Sequence, residues 1–343
     1  MPAETVLITG ASGFIATHIV DAFLQAGHTV RGTVRSQSTA DRVKQTFLEY
    51  VSKDKLTFAI VPDIGVPHAF DEAVKGVTGV IHTASPFEFK VDDNEQDILL
   101  PAINGTKHIL DPIKKNGSQV RRLVILSSFA AIVDVSKGTR PGYVYTEKDW
   151  NPLTYDEAAK KGSSTVVAYL VSKKLAERAA WDFVERERPG FDVVTICPPM
   201  VYGPNMNATA SIAHLNESSA EIYRLMTAKP TDPVPPTSFW GSVDARDVAQ
   251  AHLKAYETPE AGGQRFLVCQ DNYSYQQMVD VLREKVPEVK DRVPVGKPHT
   301  GLGEEVYGID NSKSRKVLGL HYRSFEETVV DAARSLLELA KKG

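Results

Sequence analysis

The stretch TVLITGASGFIA, residues 5–16, decides the fold of this chain. Its first five residues are apolar or β-branched and predict a strand, and a helix is predicted from Phe14 to Gln25. In the turn between them, Gly10 permits a sharp bend and Gly13 permits a close approach of the backbone to a ligand. Such a turn directs backbone N–H groups and the positive end of a helix at a phosphate. It therefore predicts a dinucleotide-binding loop, although Ala16 stands where a third glycine is usual.

The alternation of strand and helix continues through the first two hundred residues. Short β-branched runs predict further strands at residues 28–34, 57–61, 77–83, 123–128 and 191–196. Longer amphipathic stretches predict helices at residues 39–51, 94–115 and 166–188. Several strands are apolar throughout, which is typical of a parallel sheet covered on both faces. The predicted fold class is therefore α/β, with a doubly wound parallel sheet of the Rossmann type.

Beyond residue 198 the pattern changes, because prolines cluster in the segments CPPMVYGPN (197–205) and KPTDPVPPTSF (229–239). Proline is excluded from central strands and helix interiors, so we predict loops that cover the carboxyl edge of the sheet. A strand at residues 265–269 and helices near 244–257, 274–285 and 324–341 follow. We expect a nucleotide-binding domain from residues 1–198, with returning segments near 241–272 and 309–343. Residues 199–240 and 273–308 are expected to form a smaller C-terminal substrate-binding lobe.

The end of the second predicted strand indicates which dinucleotide is bound. A carboxylate there would accept a hydrogen bond from the adenosine ribose, whereas a cation would pair with a 2′-phosphate. Residues 32–36 read GTVRS, so Arg35 is available for charge-assisted hydrogen bonds of about 1.5–3 kcal/mol. Arg31 is a weaker candidate for the same role. The sequence therefore predicts NADPH. Asp63, after the third strand, is a candidate partner of the adenine amino group or a simple turn residue.

A candidate catalytic set follows the phosphate loop. Tyr169 and Lys173 stand four residues apart on a predicted helix and hence on one face of it. A cation within about 4–6 Å lowers the pKa of a tyrosine by about 1–3 units, so we expect Lys173 to activate Tyr169 as a proton donor. Ser128 ends the predicted strand 123–128 at the same edge, where its hydroxyl can hold a carbonyl oxygen. Because a Tyr–Lys pair at this spacing often arises by chance, the prediction depends on its position behind the loop and Ser128.

Five motifs carry a family resemblance: TGASGFIA (9–16), HTASPF (82–87), LSSFAA (126–131), Tyr169-x-x-x-Lys173 and CPPMVYGP (197–204). Together they resemble the extended short-chain dehydrogenases/reductases, and among them the dihydroflavonol-reductase-like branch with its yeast and fungal NADPH-dependent methylglyoxal and carbonyl reductases. The resemblance implies that Ser128, Tyr169 and Lys173 are catalytic. It implies cofactor contacts at Thr9, Gly10, Ser12, Gly13, Phe14, Ile15, Arg35, Asp63, Ile64, Ala84, Tyr169, Lys173, Pro198, Val201 and Ser218.

The activity implied is reduction of aldehydes and ketones to alcohols, with hydride from C4 of NADPH and a proton from Tyr169. The substrates of the branch include 2-oxoaldehydes such as methylglyoxal, diketones, ketoesters and aryl ketones. Apolar candidates for the substrate pocket, each of which is as easily a core residue, are Phe87, Phe129, Met200, Tyr202 and Trp240. A sugar-nucleotide epimerase or dehydratase would share the fold and the Tyr–Lys pair, and a non-catalytic dinucleotide sensor would share the fold alone.

Composition limits the remaining possibilities. The formal net charge of -3 gives no broad positive field, so we expect no nucleic-acid partner. The two cysteines, Cys197 and Cys269, are too few for a disulfide framework, and the nine histidines show no metal-binding spacing, so no metal is predicted. Since no apolar run reaches membrane-spanning length and no secretory signal is evident, we expect a cytoplasmic monomer or homodimer that acts on a small carbonyl compound.

Overall fold

The computed structural model describes residues 4–85, 91–207 and 211–342. The strands are β1 Thr5–Thr9, β2 Thr29–Val34, β3 Leu56–Ile60, β4 Gly79–His82, β5 Arg122–Leu126, β6 Val144–Tyr145, β7 Asp192–Cys197, β8 Met200–Tyr202, β9 Gly241–Asp244, β10 Arg265–Leu267, β11 Asp271–Asn272 and β12 Gly308–Ile309. The α-helices are α1 Phe14–Gln25, α2 Gln37–Thr46, α3 Leu48–Val51, α4 Leu100–Asn116, α5 Tyr155–Ala159, α6 Thr165–Glu187, α7 Glu217–Met226, α8 Ala245–Glu257, α9 Tyr275–Lys285, α10 Ser312–Leu318 and α11 Phe325–Lys342.

Seven strands form one parallel sheet in the order β10-β7-β5-β4-β1-β2-β3. The order reverses at β1, which lies between β4 and β2, and such a switch point opens a crevice at the carboxyl ends of the strands. Alternate side chains of β1 point to opposite faces of the sheet. Val6 and Ile8 pack with α1 and α8 on one face, and Leu7 packs with α4 and α6 on the other. Both faces are therefore covered, which explains the continuously apolar strands. The predicted Rossmann fold class is confirmed.

The prediction of loops throughout residues 197–205 is wrong in its middle part. Pro198 and Pro199 lie before Met200 and Pro204 lies after Tyr202, so the three residues between them are free to pair as β8. Strand β8 runs parallel to β9, and β9 runs antiparallel to β11. This second sheet packs with α7, α9 and α11 around a separate apolar cluster that includes Tyr273, Met278 and Leu336.

Three element boundaries also differ from the predictions. Strand β5 ends at Leu126, so Ser127 and Ser128 follow the strand, and Ser128 caps a short 3₁₀ turn from Phe129 to Ala131. The predicted helix 39–51 is divided at Phe47, whose backbone leaves the helical region with φ -126°. The predicted helix 94–115 begins with a wide π turn, Glu95–Leu99, before α4.

The division into two lobes stays a prediction. Strand β10 and helix α8 return to the main sheet, and α10 contacts both of them. Helix α11, which the sequence prediction grouped with the nucleotide-binding domain, packs instead against α7 and α9. None of the helices in the three described ranges is long and apolar enough to cross a membrane.

Candidate active site

The glycine-rich turn between β1 and α1 is built as a phosphate-binding loop requires. Gly10 has φ +68°, a left-handed conformation that side chains disfavour, and a Cβ atom there would lie 3.1 Å from the Cα atom of Ala84. The turn is closed by a hydrogen bond from the Gly13 N–H to the Gly10 carbonyl, 2.9 Å. Gly13 caps α1 without a side chain, so the first N–H groups of the helix remain available to a ligand. These features fit a bound pyrophosphate.

Thr9 joins this loop to the end of β4. Its hydroxyl accepts hydrogen bonds from the backbone N–H groups of Thr83 and Ala84, each 3.0 Å, and contacts Nδ1 of His82 at 3.0 Å. Burial, followed by the charge of Lys173, lowers the pKa of His82 to about 4, so this ring is neutral near physiological pH. The contacts of Thr9 explain why Ala84 lies directly against Gly10, as the predicted cofactor cradle requires.

The two arginines of the second strand have different surroundings. Arg31 donates hydrogen bonds from Nη1 to the carbonyls of Ala73 and Lys75, at 3.0 and 2.6 Å, so its guanidinium is engaged in holding that segment. Arg35 is exposed just beyond β2, and no ion pair to it occurs within the described ranges. Ser36 then caps α2, accepting a hydrogen bond from the Thr39 N–H. A cation beside a helix N-terminus suits a 2′-phosphate, so the donor set fits NADPH.

Five other proposed cofactor residues have defined surroundings. The exposed Asp63 accepts a hydrogen bond from the Gly65 N–H, 2.7 Å, which is a turn contact that leaves its other carboxylate oxygen available. Ile64, its neighbour, is half-buried. The Phe129 N–H donates to the Pro198 carbonyl at 2.8 Å, and the Ser218 hydroxyl donates to the Val201 carbonyl at 2.7 Å. The backbone of these last segments is thus held in place, while their contact with a cofactor stays a prediction. Contacts of the cofactor with Ser12 in the loop and with Phe14 and Ile15 at the start of α1 also stay predictions.

The structure brings the three candidate catalytic residues together. The Ser128 hydroxyl lies near the phenol of Tyr169 and acts to lower its pKa, and its Oγ accepts a hydrogen bond from the Ala130 N–H at 3.1 Å. Lys173 follows one turn later on α6, with Nζ 5.6 Å from the centre of the Tyr169 ring. Nζ donates a hydrogen bond to Oγ of Ser85, 3.1 Å, at the end of β4. A phenol, a hydroxyl and an ammonium therefore meet at the carboxyl edge of the sheet, which suits proton transfer to a carbonyl oxygen.

The expectation that Lys173 lowers the pKa of Tyr169 is wrong for this structure. Burial raises the pKa of the phenol, the neighbouring Ser128 hydroxyl opposes this, and the charge of Glu217 raises the pKa further. Lys173 makes its hydrogen bond to Ser85 instead of to Tyr169, and burial lowers its own pKa to about 8. The consequence is that Tyr169 keeps its proton near neutral pH and stands ready to donate it.

Three of the five predicted substrate-binding residues are buried in the structure. Phe87 lies outside the described residues. Phe129, Tyr202 and Trp240 are buried: Phe129 packs edge-on against Tyr145, and the Tyr202 hydroxyl bonds to Glu221 and Tyr273. Met200 is half-buried. A side chain with almost no exposed surface cannot form the wall of an open pocket, so the structure places these three residues in the core.

Sequence reasoning missed two charged residues beneath the catalytic set. Glu177 on α6 is fully buried and pairs with Arg265 of β10, with Oε1 and Nε 2.6 Å apart. Glu177 stands four residues after Lys173 and eight after Tyr169, so helical spacing alone would have placed it on their face. Within the described ranges, no group of three or more His, Cys, Asp or Glu side chains lies close enough to hold a metal ion.

Comparison with known proteins agrees with this geometry. A model of the NAD dependent epimerase/dehydratase family matches residues 6–269. This chain belongs to that family. Among curated members, it is 40% identical to the NADPH-dependent methylglyoxal reductase of Saccharomyces cerevisiae, with 97% of this chain and 98% of the relative covered. It is also 40% identical to a ketoreductase of Aspergillus niger, over 98% and 99% of the two chains.

A solved family member has nearly the same structure. The crystal structure of yeast methylglyoxal/isovaleraldehyde reductase complexed with NADPH superimposes with a TM-score of 0.92, at 39% identity. The match covers 99% of this chain and 100% of that one. The family resemblance predicted from the motifs is therefore confirmed, and it extends through the C-terminal elements that lie beyond residue 269.

Proposed function

We propose that this chain is an NADPH-dependent reductase that converts aldehydes and ketones to alcohols. The observation that carries the proposal is the placement of the Ser128 hydroxyl near the Tyr169 phenol at the carboxyl edge of the sheet, with Lys173 one turn away and its Nζ 5.6 Å from the phenol ring. Two relatives of 40% identity are named as a methylglyoxal reductase and a ketoreductase, which supports a carbonyl substrate. When bound, NADPH supplies the hydride from its C4 position.

The roles of the residues follow from their positions. The loop around Gly10 and Gly13, together with Arg35, binds the phosphates of the cofactor. Ser128 donates a hydrogen bond to the carbonyl oxygen of the substrate and stabilises the negative charge that develops there. Tyr169 donates its proton to the same oxygen. Lys173 places an ammonium one helical turn from the phenol, and its hydrogen bond to Ser85 holds it between the Tyr169 ring and the end of β4.

The surroundings of Tyr169 also favour a class of substrate. The negative charge of Glu217, an exposed residue at the start of α7, is one of the influences that raise the pKa of the Tyr169 phenol. Like charges close together repel, so an anionic 2-oxo acid is disfavoured relative to an uncharged compound of the same size. We therefore include 2-oxoaldehydes, diketones, ketoesters and aryl ketones in the proposal. A cytoplasmic location, which suits the two free cysteines Cys197 and Cys269, is part of it.

The test is NADPH oxidation by the purified protein with methylglyoxal, diketones, ketoesters, aryl ketones, pyruvate, and UDP- and dTDP-sugars. A reductase consumes NADPH with the uncharged carbonyls, and its preference for methylglyoxal over pyruvate narrows in a Glu217→Gln variant. An epimerase converts a sugar nucleotide without net consumption of cofactor, and a sensor consumes none with any compound. Either of these last two results would refute the proposal.

A further inference from the structure

A buried carboxylate lies directly behind the catalytic set. Oε2 of Glu177 accepts hydrogen bonds from Oγ of Ser127, 2.5 Å, and from Nη2 of Arg265, 3.1 Å. Oε1 accepts from Oγ1 of Thr195, 2.8 Å, from Nε1 of Trp181, 3.2 Å, and from Nε of Arg265. The carboxylate therefore connects α6 with three strands of the sheet: Ser127 follows β5, Thr195 lies inside β7, and Arg265 begins β10.

Arg265 makes this arrangement possible. A charge taken out of water needs a paired charge and further hydrogen bonds to be tolerated. The guanidinium pairs with Glu177 through two nitrogens and donates from Nη1 to the carbonyls of Glu147 and Asp149, at 2.9 and 2.5 Å. Its other face stacks on Trp150, with Cζ 3.6 Å from the ring centre. The pair is thus held rigidly from several sides.

The catalytic residues are adjacent to this pair along the chain. Ser127, which donates to Glu177, immediately precedes Ser128, and both lie beyond Leu126, the last paired residue of β5. Lys173 is one helical turn before Glu177. A small cavity of about 30 Å³ lies beside the end of β4, and its lining includes Lys173, Glu177, Ser127 and Thr106. A shift of the carboxylate would therefore be transmitted to Ser128 and to Lys173 together.

We infer that Glu177, neutralised by Arg265, is a positioning residue that sets the distance between Ser128 and the Tyr169–Lys173 face of α6. The inference rests on the proposed carbonyl reduction. Glu177 acts through Ser127 and through its own helix, without touching the substrate. Arg265 has an electrostatic part in this, because it balances a negative charge that would otherwise act on Lys173. His82, the other titratable group packed near Lys173, is neutral at physiological pH.

A matched pair of variants distinguishes an effect of Glu177 on the position of the catalytic residues from an effect on the stability of the fold. Ser127→Ala and Thr195→Val each remove one buried hydroxyl that donates to Glu177. Thr195 lies inside β7, between Ile125 and Arg265 in the sheet, so its backbone stays fixed without the hydroxyl. We expect kcat to fall about tenfold in Ser127→Ala, since small misplacements of reacting groups are costly, and to change less than about twofold in Thr195→Val. The dissociation constant for NADPH should be unchanged in both.

Equal values of kcat in the two variants, with the wild-type protein active in the same assay, would overturn the inference. An inactive wild-type protein would instead refute the proposed carbonyl reduction, so the two failures are distinguishable. If Ser127→Ala is less stable than the wild-type protein, its kcat is compared with that of Thr195→Val, because each variant lacks one hydrogen bond to the same carboxylate.

Glu177→Gln adds a readout that a purely structural role would not change. The amide keeps the shape but removes the negative charge, so the unbalanced Arg265 disfavours the protonated form of Lys173. The alkaline limb of the pH profile of kcat/KM should move to lower pH by about half a unit or more. An unchanged limb in the folded variant would show that the pair has no influence on the catalytic ammonium and would contradict the inference. Should this variant fail to fold, the Ser127→Ala and Thr195→Val comparison decides the question.

Discussion

Nζ of Lys173 donates a hydrogen bond to Oγ of Ser85, 3.1 Å, and this contact joins the catalytic helix to the end of β4. The ammonium is held by a residue beside the phosphate loop and not by the phenol on its own helix, whose ring centre is 5.6 Å away. Because burial lowers the pKa of Lys173 to about 8, the group changes charge close to physiological pH. The charge on this lysine, and any step that needs it, is therefore sensitive to pH.

The pH dependence of reduction is the first prediction. Above about pH 8 the free enzyme loses the proton of Lys173, so kcat/KM should fall there while Tyr169, with its raised pKa, is still protonated. A Lys173→Arg variant keeps its charge at high pH and should lack this limb, although its absolute rate is lower. The measurement is initial-rate kinetics from pH 6 to pH 10. If both proteins share the same alkaline limb, Lys173 is not its source.

Removal of the proton donor should have the largest effect. In Tyr169→Phe the ring stays but the acid is lost, so kcat should fall by about 10²–10⁴-fold, the usual contribution of a general acid. The phosphate loop and Arg35 are untouched, so NADPH should bind with an unchanged dissociation constant in a fluorescence titration. Retention of the wild-type rate would exclude Tyr169 as the donor.

Cofactor preference should depend on Arg35. Its charge-assisted hydrogen bonds to a 2′-phosphate are worth about 1.5–3 kcal/mol, so Arg35→Asp should reduce the NADPH-to-NADH ratio of kcat/KM by about one to two orders of magnitude. Arg186→Asp makes the same change of two charge units at an exposed position on α6, away from the loop, and is the control for net charge. An equal ratio in Arg35→Asp and Arg186→Asp would mean that Arg35 does not bind the phosphate.

Gly10 and Gly27 both have left-handed backbone conformations, so alanine substitutions at these two positions distinguish the cost of backbone strain from an effect on cofactor binding. Gly10→Ala and Gly27→Ala both place a side chain at positive φ, at a cost of about 1–2 kcal/mol of stability. Only at Gly10 would the new Cβ press against Ala84, at 3.1 Å, since Gly27 has open space within 4 Å. We expect both variants to lose stability in urea titrations and Gly10→Ala alone to lose NADPH affinity. Equal affinities would show that this turn does not cradle the cofactor.

Buried His252 should make the fold sensitive to acid. Burial lowers its pKa to about 4, although the bond from Nδ1 to the Val248 carbonyl opposes this, whereas an unfolded histidine titrates near 6.5. The unfolded chain therefore binds the proton first, and stability falls as the pH drops from about 6.5 to 4. In His252→Leu the slope of unfolding free energy in this window should decrease by up to about 1.4 kcal/mol per pH unit. Urea midpoints between pH 4 and pH 7 measure it, and an unchanged slope would contradict the assignment.

The parts of the fold that could be predicted are those encoded by local pattern. The sequence pattern predicts α1 at the bounds that the structure shows, because a glycine turn and apolar spacing define both ends. The three-stranded sheet was missed, since strands as short as β8 give no periodic signal and are paired only by distant residues. Glu177 and Arg265 were missed for a related reason: 88 positions separate them, and their partnership exists only after the sheet has formed.

In the candidate site, too, the sequence predicts what depends on local spacing and fails where contacts between distant residues decide. The spacing of Tyr169 and Lys173 was sufficient to place both on one helical face, and the position of Ser128 near the end of β5 was predicted correctly in outline. The direction of the Tyr169 pKa shift is not predictable from the sequence, because it depends on burial and on Glu217, which lies between the two predicted loop segments and far along the chain from Tyr169. Burial in the core likewise removes Phe129, Tyr202 and Trp240 from the expected substrate wall.

The position of β10 at the edge of the sheet has a consequence for folding. About 70 residues separate it from its neighbour β7, and closing a loop of that length costs conformational entropy before any contact is gained. Non-local pairings of this kind form slowly. We therefore expect the other six strands to assemble first and β10 to dock in a late step. Because β10 carries Arg265, a folding intermediate that lacks it would hold Glu177 unpaired, and the catalytic edge would be completed only at the end of folding.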